Sequence, residues 1–193
     1  MKVGLFFGSF NPIHVGHLII ANYVANNTNV DQVWLVVTPH NPLKLSKTLL
    51  NEYHRLHLVT LAIDDNPKLK ASDIEFKLPK PSYTIDSLTY LNEKYPQHTF
   101  SVIIGSDSFE NIDKWKNFEN LLANYKIWVY TRPGHEVINK YAGDIEILSG
   151  PLLDISASFI RQLIKTKKSI QYLIPEKARM EIIHNNYYLN LDQ

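Results

Sequence analysis

Three near-continuous apolar runs constrain this chain more than any other feature: VWLVV at 33–37, FSVIIG at 100–105 and IWVY at 127–130. A strand with one wet face alternates apolar and polar residues. These runs do not alternate, so both faces of each strand must be covered. Helical patterns lie between them, which predicts an α/β fold built on a doubly wound parallel sheet in three α/β/α layers, with right-handed crossovers. Strands are expected at 2–8, 31–38, 70–76, 99–104, 126–130 and 145–148. Helices are expected at 15–26, 49–63, 84–94, 118–123, 156–165 and 176–184, with Ser82 or Thr84 capping the third. Ligands of such sheets sit outside the carboxyl ends of the strands. Those ends lead into 8–17, 38–45, 105–108 and 131–134, where glycines and polar residues concentrate.

Composition narrows the function classes. The chain has 193 residues, 45% hydrophobic and 20% charged, which fits one domain over 1–193. A formal net charge of +1 gives no bulk attraction to nucleic acid or an anionic membrane. The short basic run LIKTKKS reads as a solvated helix end. No cysteine is present, so disulfides, thiolate metal sites and a cysteine nucleophile are excluded. The N-terminus runs directly into a strand, with no secretion-signal pattern and no membrane-span length of apolar residues. A soluble, cytoplasmic protein is the expectation.

The first 20 residues carry the sharpest chemical signal. In KVGLFFGSFNPIHVGHLII a strand stops at Gly8-Ser9-Phe10, and a helix opens with His14 and His17 three residues apart. A helix start presents free N–H groups and positive potential. Gly8 and Gly16 let backbone approach a ligand. Two imidazoles add donors for phosphate oxygens. A polyphosphate site competes here with zinc ligation and plain capping, though no third ligand stands at metal spacing.

Other segments supply matching chemistry. Gly105-Ser106-Asp107 follows a buried strand, and Asp107 suits ribose hydroxyls or a helix start. Lys44 lies in the loop PHNPLK, and Arg132 ends the 126–130 strand. In ISASFIR, Ser156 suits an N-cap, Ser158 adds a hydroxyl, and Arg161 follows about one and a half turns on. Serines, free N–H groups and a guanidinium make a second phosphate cradle. Pro81 to Asp86 suits a ligand wall with Tyr83 as its aromatic surface. Trp115 sits in the polar run DKWKN, where it suits stacking on a flat ring.

Together these segments resemble one family. GSFNPIHVGH resembles the GxFxPxHxGH element of the nucleotidylyltransferases, and ISASFIR is similar to their second element. PHNPLK, PSYTIDSL, GSDSFENIDKW and YTRPG resemble the bacterial nicotinate-nucleotide adenylyltransferases in particular. The resemblance runs from residue 2 to about 185. It implies a Rossmann-like nucleotidylyltransferase fold and a reaction in which ATP and nicotinate mononucleotide, with Mg²⁺, give nicotinate adenine dinucleotide and pyrophosphate.

The resemblance also assigns roles. His14, His17, Lys44 and Arg161 are the implied catalytic groups. Gly8, Ser9, Phe10 and His17 line ATP at the first loop, Gly105, Asp107 and Arg132 at the middle strands, and Ile155, Ser156 and Arg161 at the last crossover. Lys44, Tyr83, Thr84 and Trp115 surround the mononucleotide. No protein metal ligands are implied. Arg55 matches a family arginine, with its role open. Leu43 stands where the family has histidine, and Ala157 where many members have serine. The alternatives are another enzyme of the HxGH type, such as a phosphopantetheine adenylyltransferase or a cytidylyltransferase, or a non-catalytic nucleotide-binding module. The expected partners are small molecules, not nucleic acid or membrane; the sequence leaves a homo-oligomer open.

Overall fold

The computed structural model describes residues 1–40, 48–135, 137–151 and 153–189. Its six strands are β1 (Lys2–Gly8), β2 (Gln32–Val37), β3 (Leu69–Ser72), β4 (Thr99–Gly105), β5 (Lys126–Tyr130) and β6 (Ile145–Leu148). They form one sheet in the order β3-β2-β1-β4-β5-β6. Every neighbouring pair is parallel. The strand order reverses between β1 and β4, so the crevice above their carboxyl ends is the switch point of the sheet.

Among the described residues seven α-helices cover the sheet: α1 (Val15–Asn27), α2 (Glu52–Ile63), α3 (Thr84–Lys94), α4 (Ser106–Phe109), α5 (Phe118–Asn124), α6 (Ala157–Lys165) and α7 (Glu176–His184). Successive strand residues feed opposite cores. Val33, Leu35 and Val37 pack with α1, α2, α6 and α7 on one face. Trp34 and Val36 pack with α3, α4 and α5 on the other. The unbroken apolar strands thus serve two cores, as the three-layer expectation requires. Among the described residues, no helix is long and apolar enough to cross a membrane.

Three local expectations need correction. The second helix starts at Glu52, not Leu49, because the Asn51 side chain caps it by accepting from the Tyr53 N–H at 2.9 Å. The expected strand at 70–76 stops at Ser72, and Ile74–Lys77 form a 3₁₀ turn. A strand would send Ile74 and Glu75 to opposite faces, whereas the turn buries both. Neither Ser82 nor Thr84 caps α3. Tyr83 holds the cap position through its backbone, and Thr84 is the first helical residue.

Candidate active site

A cleft of about 1230 Å³ opens over the switch point, bounded by the starts of α1, α3, α4 and α6. Every described residue expected at the site lines it or stands at its rim: His14, His17 and Arg161, the Gly8–Phe10 loop, Gly105, Asp107 and Arg132, Ile155 and Ser156, and Tyr83, Thr84 and Trp115. Lys44 and Leu43 lie outside the described residues. A shallower hollow of about 500 Å³, beside Asn92, His98 and Asn124 at the amino end of β4, holds none of these groups.

The start of α1 builds the first wall. His14 is its N-cap residue and is buried. Its ring stacks on that of His17, with centroids 3.7 Å apart and planes 28° apart. The His14 backbone N–H donates to His17 Nδ1 at 3.3 Å. That bond assigns the lone pair to Nδ1, so in the neutral ring Nε2 carries the hydrogen. A Cβ at position 16 would come within 3.1 Å of the His14 ring, which accounts for Gly16. The Phe10 ring meets His17 edge-on at 5.0 Å and fills the space a Cβ on Gly8 would need. Val15 N–H bonds to the Leu173 carbonyl and His17 N–H to that of His14. The Gly16 N–H has no partner among the described residues.

The start of α6 builds the facing wall. Ser156 Oγ accepts from the Phe159 N–H at 3.2 Å, so the serine does cap its helix. The Ala157 and Ser158 N–H groups have no partner among the described residues. Arg161 reaches back across the cleft. One guanidinium nitrogen donates to the Asn11 carbonyl at 2.7 Å and another to Ser158 Oγ at 3.2 Å. Buried Asn11 also holds 48–50, through the Thr48 carbonyl at 3.0 Å and the Leu50 N–H at 3.1 Å.

Between these walls, Arg132 pairs with Asp107 at 3.2 Å, and its N–H donates to Ser106 Oγ at 2.9 Å. The N-cap of α4 is Gly105, so Asp107 does not cap that short helix. At the far end Lys116 lies 4.9 Å from the Tyr83 ring centre and bonds Asp86 at 2.8 Å. Trp115 packs one side against the second core and leaves part of its surface on the cleft.

Burial, helped by the positive charge of Arg132, brings the His14 pKa down to about 4, so the ring is neutral at pH 7. The folded value is below the unfolded one of about 6.5, so the unfolded chain binds the extra proton as pH falls. The stabilisation is complete above about pH 6.5 and is lost progressively down to about pH 4, on the order of 3 kcal/mol. Denaturant midpoints measured across that window should fall with pH, and His14→Asn should flatten the slope. An unchanged slope would contradict a neutral buried His14.

Sequence reasoning left Arg55 without a role. The structure buries it completely and aims its donors at four carbonyls: Leu50 at 2.7 Å, Thr38 at 2.8 Å, Pro39 at 3.1 Å, and Ser9. It ties the loop after β1 to the exit of β2. Glu75 was missed altogether. It is 1% exposed and lines the cleft beneath the start of α3. Its position in the run DIEFK reads as strand or surface, and no local signal marks it.

Comparison with known proteins extends the picture. A family model described as Cytidylyltransferase-like matches residues 5–182. A Flavobacterium psychrophilum protein named probable nicotinate-nucleotide adenylyltransferase is 54% identical over 191 residues, covering 97% of this chain and 99% of the relative. A Bacteroides fragilis protein of the same name is 43% identical over 183 residues, covering 94% and 91%. The structure of Plasmodium falciparum nicotinic acid mononucleotide adenylyltransferase complexed with NaAD superposes with a TM-score of 0.84 over 99% of both chains. At 23% identity that likeness speaks to the fold.

Proposed function

This chain belongs to the cytidylyltransferase-like family and, within it, to the nicotinate-nucleotide adenylyltransferases, and from that premise we propose how its cleft works. The enzyme joins ATP and nicotinate mononucleotide to give nicotinate adenine dinucleotide and pyrophosphate, a step of NAD synthesis. The observation that carries the site assignment is the Arg161–Asn11 bond, which brings two helix starts with free N–H groups to face one another across a single cleft.

The triphosphate lies between those starts, beside His14, His17, Ser156 and Arg161. An oxygen of the mononucleotide phosphate attacks the α-phosphorus in line, and the bond from that phosphorus to the bridging oxygen breaks to release pyrophosphate. The attacking oxygen is already anionic, so no enzyme nucleophile or general base is needed. Rate enhancement comes from positioning and from positive potential around the transferring group. Neutral His14 fits this scheme, because it supports His17 by stacking and moves no proton. Asp107 and Arg132 border the nucleoside. No three potential metal ligands cluster among the described residues. Mg²⁺ would enter as part of the substrate, carried on the ATP phosphates and water. We take residues 1–193 as one catalytic unit and the cytoplasm, with its ATP pool, as its compartment.

The pyridine ring lies between Tyr83 and Trp115, with its carboxylate at the start of α3. The Thr84 and Ile85 N–H groups there have no partner among the described residues. A charged acceptor bonds such donors more strongly than a neutral amide does. The acid mononucleotide should therefore exceed the amide in kcat/KM by about 10- to 100-fold. Pyrophosphate release with ATP and each mononucleotide checks this, and equal values would remove α3 from acid recognition.

A further inference from the structure

We propose that Glu75 acts as an uncharged carboxylic acid that positions the first turn of α3 for the anionic ring group of the mononucleotide, and so helps to set the preference for acid over amide. The inference rests on the reaction assigned above and adds a positioning residue to it.

Glu75 stands where three elements meet. It lies in the 3₁₀ turn after β3, and its Oε1 is 2.7 Å from Ser87 Oγ on α3. Ser82, just before α3, and Thr38, at the exit of β2, turn their hydroxyls toward the same carboxyl. Neither completes the set, since Glu75 Oε2 and Ser82 Oγ are both buried without a hydrogen bond of normal geometry.

Burial with no cation beside it among the described residues, and with Oε2 left without a donor, is the geometry of an uncharged acid. Ser87 Oγ lies 2.7 Å from Glu75 Oε1 and 3.3 Å from the Tyr83 carbonyl. One hydroxyl hydrogen cannot serve two acceptors well. If the acid carries a proton, it donates to Ser87 Oγ, and Ser87 donates to the Tyr83 carbonyl. The chain then ends on the N-cap residue of α3, whose carbonyl also receives the Asp86 and Ser87 N–H groups at 3.1 Å. The acid thereby fixes the turn that presents the free Thr84 and Ile85 N–H groups.

Surrounding charge agrees. Burial pushes the Glu75 carboxyl up from its ordinary range, opposed by the neighbouring hydroxyls. No cation pairs with it among the described residues. Charged groups on the elements around it are engaged elsewhere: Arg55 with its four carbonyls, Glu52 with Lys80, and Asp86 with Lys116. His40, whose carbonyl receives the Ser82 N–H, is exposed, and so is Asp73 at the head of the turn. A carboxylate at Glu75 would sit in a dry site under a helix start and repel the carboxylate bound there.

The test measures KM and kcat for both mononucleotides at saturating Mg·ATP, across the pH range in which the enzyme stays folded, in the wild type, E75Q and E75A. Glutamine keeps the shape and a donor without a charge, so E75Q should retain the acid-to-amide ratio. E75A leaves Ser87 without its partner, and should raise KM for the acid about tenfold while kcat and the amide KM change much less. The wild-type ratio should fall as pH rises through the raised Glu75 pKa, whereas the E75Q ratio should stay flat. Loss of the ratio in E75Q to the level of E75A would overturn the proposal, and so would an unchanged ratio in both variants. Melting curves show whether E75A has folded, and E75Q decides the matter if it has not. If the wild type forms no dinucleotide at all, the assigned reaction fails. If it does and the ratios disagree as stated, only the role of Glu75 fails.

Discussion

His17→Ala should lower turnover with ATP and nicotinate mononucleotide by about a hundred- to a thousandfold, the usual cost of removing one donor aimed at developing charge. The ring lies on the cleft between the Phe10 edge and the His14 face. Its Nδ1 is occupied by the His14 N–H, which fixes the ring and leaves Nε2 as its donor. Alanine deletes that donor but leaves the α1 backbone, and both helix starts that face the cleft, in place. The loss should therefore appear in kcat more than in KM, and circular dichroism and melting temperature should move little. A variant turning over near the wild-type rate would take His17 out of the charge-stabilising set. Arg161 would not be equally clean to test, because its removal also breaks the bond to Asn11.

Arg55→Leu should destabilise the protein by about 3–5 kcal/mol, the range for removing one partner of a buried charged network. Four carbonyls, on Ser9, Thr38, Pro39 and Leu50, would lose their donor in a site that excludes water. Total stability is usually about 5–15 kcal/mol, so this is a large share of it. For a chain of this size the melting temperature should drop by about 10 °C. Arg55→Lys should rescue only part, since one ammonium has three donors and cannot copy the guanidinium fork. A melting temperature within about 2 °C of wild type would show that the four carbonyls find other partners.

The two variants mark what the sequence does and does not disclose. The parallel sheet is legible because burial on both faces leaves Val33 to Val37 and Val102 to Ile104 wholly apolar, a signal confined to each strand. The site is legible where chain-local chemistry marks it. Gly8, His14, Gly16 and His17 fall within one short stretch of chain, and Ser156 and Arg161 within another. Arg55 and Glu75 escape because their roles come from distant partners. Arg55 serves Ser9, 46 residues away, and Glu75 meets Ser87 from the next helix. Nothing adjacent in sequence marks either as buried. The turn at 74–77 shows the same limit, since burying Glu75 required the third strand to end early.

The contact between Arg161 and Asn11 spans 150 residues of chain. During translation the first half of the protein emerges long before the guanidinium that completes its pocket has been added. A nascent polypeptide can thus assemble much of the sheet and still lack the second wall of the cleft proposed to hold the nucleotide. Competence arrives late in synthesis, so aborted fragments should not sequester ATP.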